Sequence, residues 1–173
     1  MAHSSSRAKE KFHKIAATER RRATPEPEDD WDPIMAIGVA ASMTGLSVSA
    51  LRKYESEGLL TYHRTPTGRR LLCRADIRRI KTIQHLINEE GLNIEGIRRL
   101  LALLPCWDLT HCSQDTRREC LATKHSHQPC WMVRKTKCAK AGFNCNECDV
   151  YRYGTYCIGT MKSLVHGTDD DTP

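Results

Sequence analysis

The chain has 173 residues, 28% of them charged, and a formal net charge of +6, with a mean hydropathy of −0.56 and a sequence pI near 8.9. This is room for one ordinary domain or two small ones, and the positive charge favours polyanionic partners. No apolar run approaches the roughly 20 residues of a membrane helix, so no membrane partner is expected. The N-terminal MAHSSSRAKEKFHK is basic, with no apolar stretch behind it. It does not read as a secretory signal, and a cytoplasmic location (the bacterial nucleoid) is expected.

Residues 1–33 read as a disordered charged arm. A basic block (Arg7, Lys9, Lys11, Lys14, Arg20, Arg21, Arg22) is followed by an acidic one (Glu26, Glu28, Asp29, Asp30, Asp32) with prolines between and after. Too little apolar surface is present to offset the entropy of ordering. The arm is a solvated tail or a source of added phosphate contacts. The end of the chain, residues 161–173, reads as a loose acidic tail.

Residues 34–105 carry the periodic patterns and an excess of five basic side chains. Val39, Ala40 and Met43 suit a short helix stopped at Gly45. Ser47 then caps a second helix, with Val48, Leu51 and Tyr54 on one face and Gly58 at its end. Helix, short turn and capped helix form a helix-turn-helix signature. Leu59 to Arg64 and Arg69 to Leu72 read as two strands joined by the turn TPTG, in which Pro66 presets φ and Gly68 admits a positive one. This wing carries Arg64, Arg69 and Arg70. Ile77, Ile80, Ile83, Leu86 and Ile87 mark an amphipathic helix ended by Gly91, with Arg78, Arg79 and Lys81 on its polar side. Asn93 caps a fourth helix, with Ile94, Ile97, Leu100, Leu101 and Leu104 as its stripe and Pro105 as its stop. Both stripes read as core.

Within this frame the expected DNA contacts are Ser49, Arg52, Lys53 and Tyr54 on the second helix and Arg64, Arg69 and Arg70 on the wing. An arginine fork grips a guanine edge or a phosphate, and the wing arginines position the protein on phosphates without reading sequence. The spacing of Tyr54 also suits a half-buried core ring, though contact with phosphate is preferred. Glu55 and Glu57 would repel DNA if they faced it, so they should point away or pair with arginines of neighbouring helices.

The segments IGVAASMTGLSVSALRKYESEGLL (37–60), RTPTGRR (64–70) and IQHLINEEGLNIEGIRRLL (83–101), in that order, resemble the winged-helix domain of the MerR family of transcriptional regulators. EGLNIEGIRRLL is most similar to the heat-shock-repressor branch. The resemblance matches Arg52 to the family's recognition-helix arginine and supports contact by Tyr54. It implies a homodimer on pseudo-palindromic double-stranded DNA, with RNA polymerase at the promoter as a further partner. The chain departs from the family at Ser49, where many members have Arg, at Lys53–Tyr54, where a Tyr pair is frequent, and at Arg69 and Leu72, which replace wing aromatics. These departures bear on the DNA sequence read and not on the docking mode. The long dimerisation helix usual in the family is also missing, because Pro105 and Cys106 follow the fourth helix almost at once.

Residues 106–160 form the second expected unit, a cysteine-rich module. Its pattern is C106-W-x4-C112-x7-C120-x9-C130-W-x6-C138-x6-C145-x2-C148-x8-C157. In a reducing cytosol such cysteines bind metal or react, whereas in a secreted chain they would pair as disulfides. CW-x4-C, a second CW, Thr136-x-Cys138 and C-x-x-C-x-x-Y (145–151) resemble a small bacterial module named for its two CW pairs and found attached to signalling proteins. Thiolates select zinc, Cu(I) or iron–sulfur clusters. Cys106, Cys112, Cys120, Cys130, Cys138, Cys145, Cys148 and Cys157 are the candidate ligands.

Only Cys145 and Cys148 form the close knuckle common in structural zinc sites. The irregular remainder favours an iron–sulfur cluster over zinc, with a thiol–disulfide switch as a third reading. Arg134, Lys135, Lys137 and Lys140 would favour thiolates, and the two Trp would shield a cluster from water. Chain order suggests Cys106, Cys112, Cys120 and Cys130 as one group and Cys138, Cys145, Cys148 and Cys157 as another. His111, His125 and His127 are possible substitutes for a thiol, and Cys73 reads as a small buried hydrophobe. With few aliphatic residues, the module is expected to need metal in order to fold.

The fold expected is mainly α, a winged helix-turn-helix followed by a metal- or cluster-stabilised module. The function expected is sequence-specific DNA binding that regulates transcription, with the module sensing a cluster, a metal or redox state. The alternative is a structural zinc element for interaction or dimerisation, or a docking site for a signalling or redox partner. No nucleophile–base arrangement, phosphate loop or cofactor fingerprint suggests an enzyme.

Overall fold

A computed structural model describes residues 31–159 apart from 105, 111 and 126, and the side chains at 108, 109, 156, 157 and 159 are not described. The expected tail, most of the arm, the stop at Pro105, His111 and the thiol of Cys157 lie outside the described residues. The arm is described only from Trp31, whose ring lies under the Arg152 guanidinium, 4.2 Å from its centroid.

Among the described residues, β1 (Met35–Ala36), β2 (His63–Arg64) and β3 (Arg70–Leu72) form an antiparallel sheet in the order β1-β3-β2. Met35 pairs with Leu72, and Arg64 with Arg70. The wing is therefore shorter than expected, and β1 is a strand the periodicity did not reveal. Two residues are too few to show the period-2 alternation on which a strand assignment rests.

Helix α1 (Ile37–Thr44) ends at Gly45, which takes φ 69°. Its buried residues are Ala40, Ala41 and Thr44, while Val39 and Met43 are 50% and 51% exposed. Gln84 Nε2 donates to Thr44 O at 3.1 Å and ties the helix end to its neighbour.

Helix α2 (Val48–Ser56) starts where Ala50 N donates to Ser47 Oγ at 3.1 Å, the expected cap. Helix α3 (Arg74–Asn88) is capped by Cys73, whose N–H and S–H both donate to Asp76 Oδ2, at 2.9 and 3.2 Å. Cys73 is thus a buried capping residue and not merely a small hydrophobe. Burial and the Asp76 charge push its thiol up to about 12. Helix α4 (Ile94–Ala102) is capped by Asn93, whose Oδ1 accepts from Gly96 N at 2.7 Å.

The module contributes short pieces: α5 (Cys106–Leu109), α6 (Gln114–Glu119), α7 (Lys137–Lys140) and α8 (Asp149–Gly159), with single 3-10 turns at Leu121–Thr123, Cys130–Met132 and Cys145–Glu147. It does not build a core apart. Val150 and Ile158 of α8 lie in one apolar cluster with Leu51, Leu59, Ile80, Ile83, Ile97 and Leu101, and Trp131 packs against it. Helix α8 lies against α3, α4 and α5. At Gly154 an added Cβ would stand 2.9 Å from Leu104 Cδ1, so α8 approaches the end of α4 closely there and a larger residue would make the Leu104 side chain shift.

Candidate functional site

Helix α2 presents Ser49, Arg52 and Lys53 on its exposed side and buries Leu51 and Tyr54. The hydroxyls of Ser47 and Ser49 share a hydrogen bond of 2.8 Å. Tyr54 is only 7% exposed, which corrects the expectation of phosphate contact. Its i+3 spacing from Leu51 makes it a core ring, and burial raises its pKa.

Glu55 has a role the sequence reading missed. Its two carboxylate oxygens accept from Arg64 Nη2 at 2.7 Å and Arg70 Nε at 2.8 Å. The partners are wing residues, not neighbouring-helix arginines as expected. Glu57 does meet a helix arginine, Arg98, at 3.7 Å. Partly exposed pairs of this kind contribute about 0–1 kcal/mol, so their effect is positional: two wing strands are fixed to the recognition helix. Arg69 remains exposed at the turn, where Gly68 takes φ 78°. A further tie is Tyr62, whose hydroxyl donates to Leu51 O at 2.6 Å. Among the wing arginines, Arg69 is the one turned outward without a described carboxylate, while Arg64 keeps half of its side chain exposed.

The exit of α2, Gly58 to Thr61, is where the module docks. Trp131 Nε1 donates to Gly58 O at 2.7 Å. Thr61 N donates to Tyr151 Oη at 2.9 Å, and Thr61 Oγ1 donates to Asn146 Oδ1. Arg79, expected on the polar side of α3, is 3% exposed. Its Nε donates to Leu59 O at 2.8 Å and its Nη1 to Tyr151 O at 2.5 Å. Its guanidinium sits 4.1 Å from the Tyr151 ring centroid and 5.5 Å from that of Trp131, and the two rings meet edge to face at 5.3 Å. A buried cation is tolerated when carbonyl acceptors and aromatic faces replace its water. One side chain therefore joins the turn after the recognition helix to the backbone of α8. Burial also pushes the Tyr151 phenol up to about 12.

Cys106, Cys130 and Cys148 pack against the shared apolar cluster. The Cys130 thiol lowers the pKa of Cys106, helped by Arg117. The Cys106 thiol and burial raise the pKa of Cys130. Burial raises Cys145 and Cys148, each facing another thiol, Cys148 for the first and Cys106 for the second. Cys138 is pushed up to about 11 by burial and faces Cys112, Cys106 and Cys120.

The cation beside Cys106 is Arg117, which lies 3.9 Å over the Trp107 ring, and not one of the expected Arg134, Lys135, Lys137 or Lys140. Lys137 pairs with Glu119 at 2.5 Å. His125 and His127 meet edge to face at 5.4 Å. Among the described residues, no three His, Cys, Asp or Glu donors are gathered closely enough to hold a single metal ion. No helix among the described residues is long and apolar enough to cross a membrane.

Comparison with known proteins agrees with this geometry. Residues 35–104 match the family model described as MerR HTH family regulatory protein. The chain is 38% identical over 84 residues to the Putative heat shock protein HspR of Streptomyces coelicolor, covering 48% of this chain and 55% of that protein. It is 34% identical over 71 residues to the HTH-type transcriptional regulator GlnR of Bacillus anthracis and to that of Bacillus cereus, covering 41% of this chain and 54% of each. The chain thus spans about half the length of these curated relatives, and the matched residues are those that form β1 to α4. Residues 35–104 are a helix-turn-helix domain of the MerR family.

Proposed function

We propose that the protein is a transcriptional regulator that binds double-stranded DNA as a homodimer and acts on RNA polymerase at promoters, with its C-terminal module reporting the state of a thiolate-bound iron–sulfur cluster. The DNA-binding part is supported by the matched domain and by the exposed Arg52, Lys53 and Arg69 on one helix and its wing. In the proposal Arg52 contacts a base edge, Ser49 and Lys53 reach bases or backbone, and Arg64, Arg69 and Arg70 follow phosphates.

The observation that carries the sensing part is the docking of the module on the exit of the recognition helix. Trp131, next to Cys130, holds the Gly58 carbonyl, and Tyr151, three residues past Cys148, holds both backbone groups of Thr61. A shift of Cys130 or Cys148 therefore moves groups bonded to the turn that sets the angle of α2. The donor set is soft and partly buried, and it includes thiols far apart in sequence, which fits a cluster. When bound, the cluster supplies a redox-dependent cross-link among those thiolates.

The test is a visible spectrum of protein purified without oxygen, with iron, sulfide and zinc counted on the same sample. Affinity for a selected DNA site is then measured with the cluster present and removed. Stoichiometric iron and sulfide with a changed affinity supports the proposal. Zinc without iron, or an affinity indifferent to the cluster, moves the module to a structural or docking role.

A further inference from the structure

We infer that Glu55 is a specificity-determining positioning residue: by holding Arg64 and Arg70 of the wing against the recognition helix, it weakens attraction to DNA of arbitrary sequence and aligns the wing for the site that α2 reads. This rests on the proposed reading of α2 and its wing as a reader of double-stranded DNA, and goes further by naming the residue that separates specific from non-specific binding.

Arg64 and Arg70 stand directly opposite each other on the paired strands β2 and β3. Like charges in that register repel, so the pair needs a counter-charge to share one side of the wing. Glu55 supplies it from the last turn of α2. One carboxylate oxygen accepts from Arg64 Nη2 at 2.7 Å and the other from Arg70 Nε at 2.8 Å. The Glu55 side chain is the most sheltered of the three, 21% exposed against 50% for Arg64 and 30% for Arg70. The pose is fixed from a second side as well. The Arg70 guanidinium lies 5.9 Å from the Tyr62 ring centroid, and the Tyr62 hydroxyl donates to Leu51 O of α2. Each arginine commits one nitrogen to Glu55 and keeps the others, both Nη of Arg70 and the Nε and Nη1 of Arg64. Among the described residues these remaining nitrogens meet no other carboxylate, and a phosphate oxygen is a fitting acceptor for them.

The charge balance decides what this arrangement does. Glu55 cancels one of the two positive charges it holds, so the wing attracts a duplex less than its three arginines alone would. Attraction to any duplex grows with the number of phosphates neutralised, and Glu55 therefore weakens binding that only counts phosphates. Binding at a specific site also depends on where the phosphate donors stand relative to the bases being read. There the two ties keep the remaining donors of Arg64 and Arg70 in one register with Arg52, which lies on the same helix as Glu55. Glu55 acts through the two arginines and not by touching DNA. Glu57 offers a natural control. It caps the same helix, but its carboxylate meets Arg98 of α4 at 3.7 Å and, among the described residues, no wing arginine.

The experiment uses the full-length chain and a DNA site that the wild-type protein enriches from a random-sequence library. Fluorescence anisotropy gives the affinity for that site and for random DNA across a salt series, with urea midpoints to confirm the fold of each variant. In Glu55→Gln the affinity for random DNA should rise several-fold and its salt slope should steepen by about 1, while the specific site gains less, so the ratio of the two affinities falls. Glu55→Asp keeps the charge but is one methylene too short to span both arginines. Its ratio should fall with the salt slope unchanged. Glu57→Gln removes the same charge and should keep the wild-type ratio. Equal gains on both DNAs in Glu55→Gln, or a wild-type ratio in Glu55→Asp, overturn the positioning role and leave Glu55 a plain negative charge. A ratio that falls as far in Glu57→Gln overturns the assignment to Glu55. Wild-type protein that enriches no site overturns the DNA-reading proposal, and this inference with it.

Discussion

Leu51, Leu59, Ile80, Ile83 and Ile97 in the DNA-binding domain are fully or almost fully buried, and they sit on or beside helices long enough to present a stripe. The module has Val150, Tyr151 and Ile158 on α8 as its chief buried apolar residues, with Val133 and Cys120 beside them. Its other elements are four to six residues long or single 3-10 turns. Helices that short are marginal by themselves. The first region is held by its own apolar burial. The second is held by leaning α8, Trp131 and Met132 on the first. What the difference teaches is that a segment too poor in aliphatics for a core of its own borrows one, and in doing so is wired to its host.

The largest expected effect tests that borrowing. Tyr151→Ala should cost about 3–5 kcal/mol, since the ring is 2% exposed and its hydroxyl meets both backbone groups of Thr61. Urea unfolding followed by tryptophan fluorescence and by circular dichroism should give one coincident, lowered transition. A transition of helix content left at its wild-type midpoint would separate the two regions.

Arg52→Ala should lower affinity for the specific site by about 1–3 kcal/mol and leave the unfolding midpoint in place. Fluorescence anisotropy on specific and random DNA reads this directly, and equal losses on both would remove base contact from Arg52.

Gly58→Ala tests the junction. Gly58 has φ 73°, and an added Cβ would stand 1.9 Å from Met132 Sδ. The backbone alone should cost about 1–2 kcal/mol. Adding Met132→Ala should recover the part due to the collision and not the part due to φ, which a double-mutant cycle separates.

A smaller effect distinguishes the wing arginines. Arg69→Ala should reduce the slope of log affinity against log salt by about 1. Arg70→Ala should change it less, because Arg70 is held by Glu55.

The smallest effect near neutral pH grows in alkali. The thiol of Cys73 and the phenol of Tyr151 are both pushed up to about 12 in the folded chain, from ordinary values of 9.0 and 10.0. Each is held neutral by folding, so its stabilisation is complete below the ordinary value and is lost as pH rises toward 12. Urea midpoints should therefore fall between pH 9 and 12, and Cys73→Ala should make the fall shallower.

Much of the DNA-binding domain was legible because its signals are local. Ser47 and Asn93 cap helices within three residues of themselves, and Gly45, Gly68 and Gly91 take the positive φ their positions imply. The stripe Ile77, Ile80, Ile83 and Leu86 is buried as its period requires. Where local patterns allowed two answers, the structure chose. Tyr54 went to the core, α1 turned its larger apolar residues outward, and the wing shrank to strands of two and three residues. Glu55 could not be read from its neighbours, because its partners Arg64 and Arg70 come from two different strands.

The sequence by itself determined the order of the helices, their caps and stops, the basic face of α2 with its wing, and the confinement of eight thiols to the C-terminal part. Each of these depends on residues within a turn or two of one another. Only the tertiary structure decided that Arg79 is buried and that Trp131 and Tyr151 hold the exit of α2. Those contacts join residues 72 to 90 positions apart or follow from the packing of α8. A side chain's spacing along the chain carries no information about which distant surface will shelter it from water.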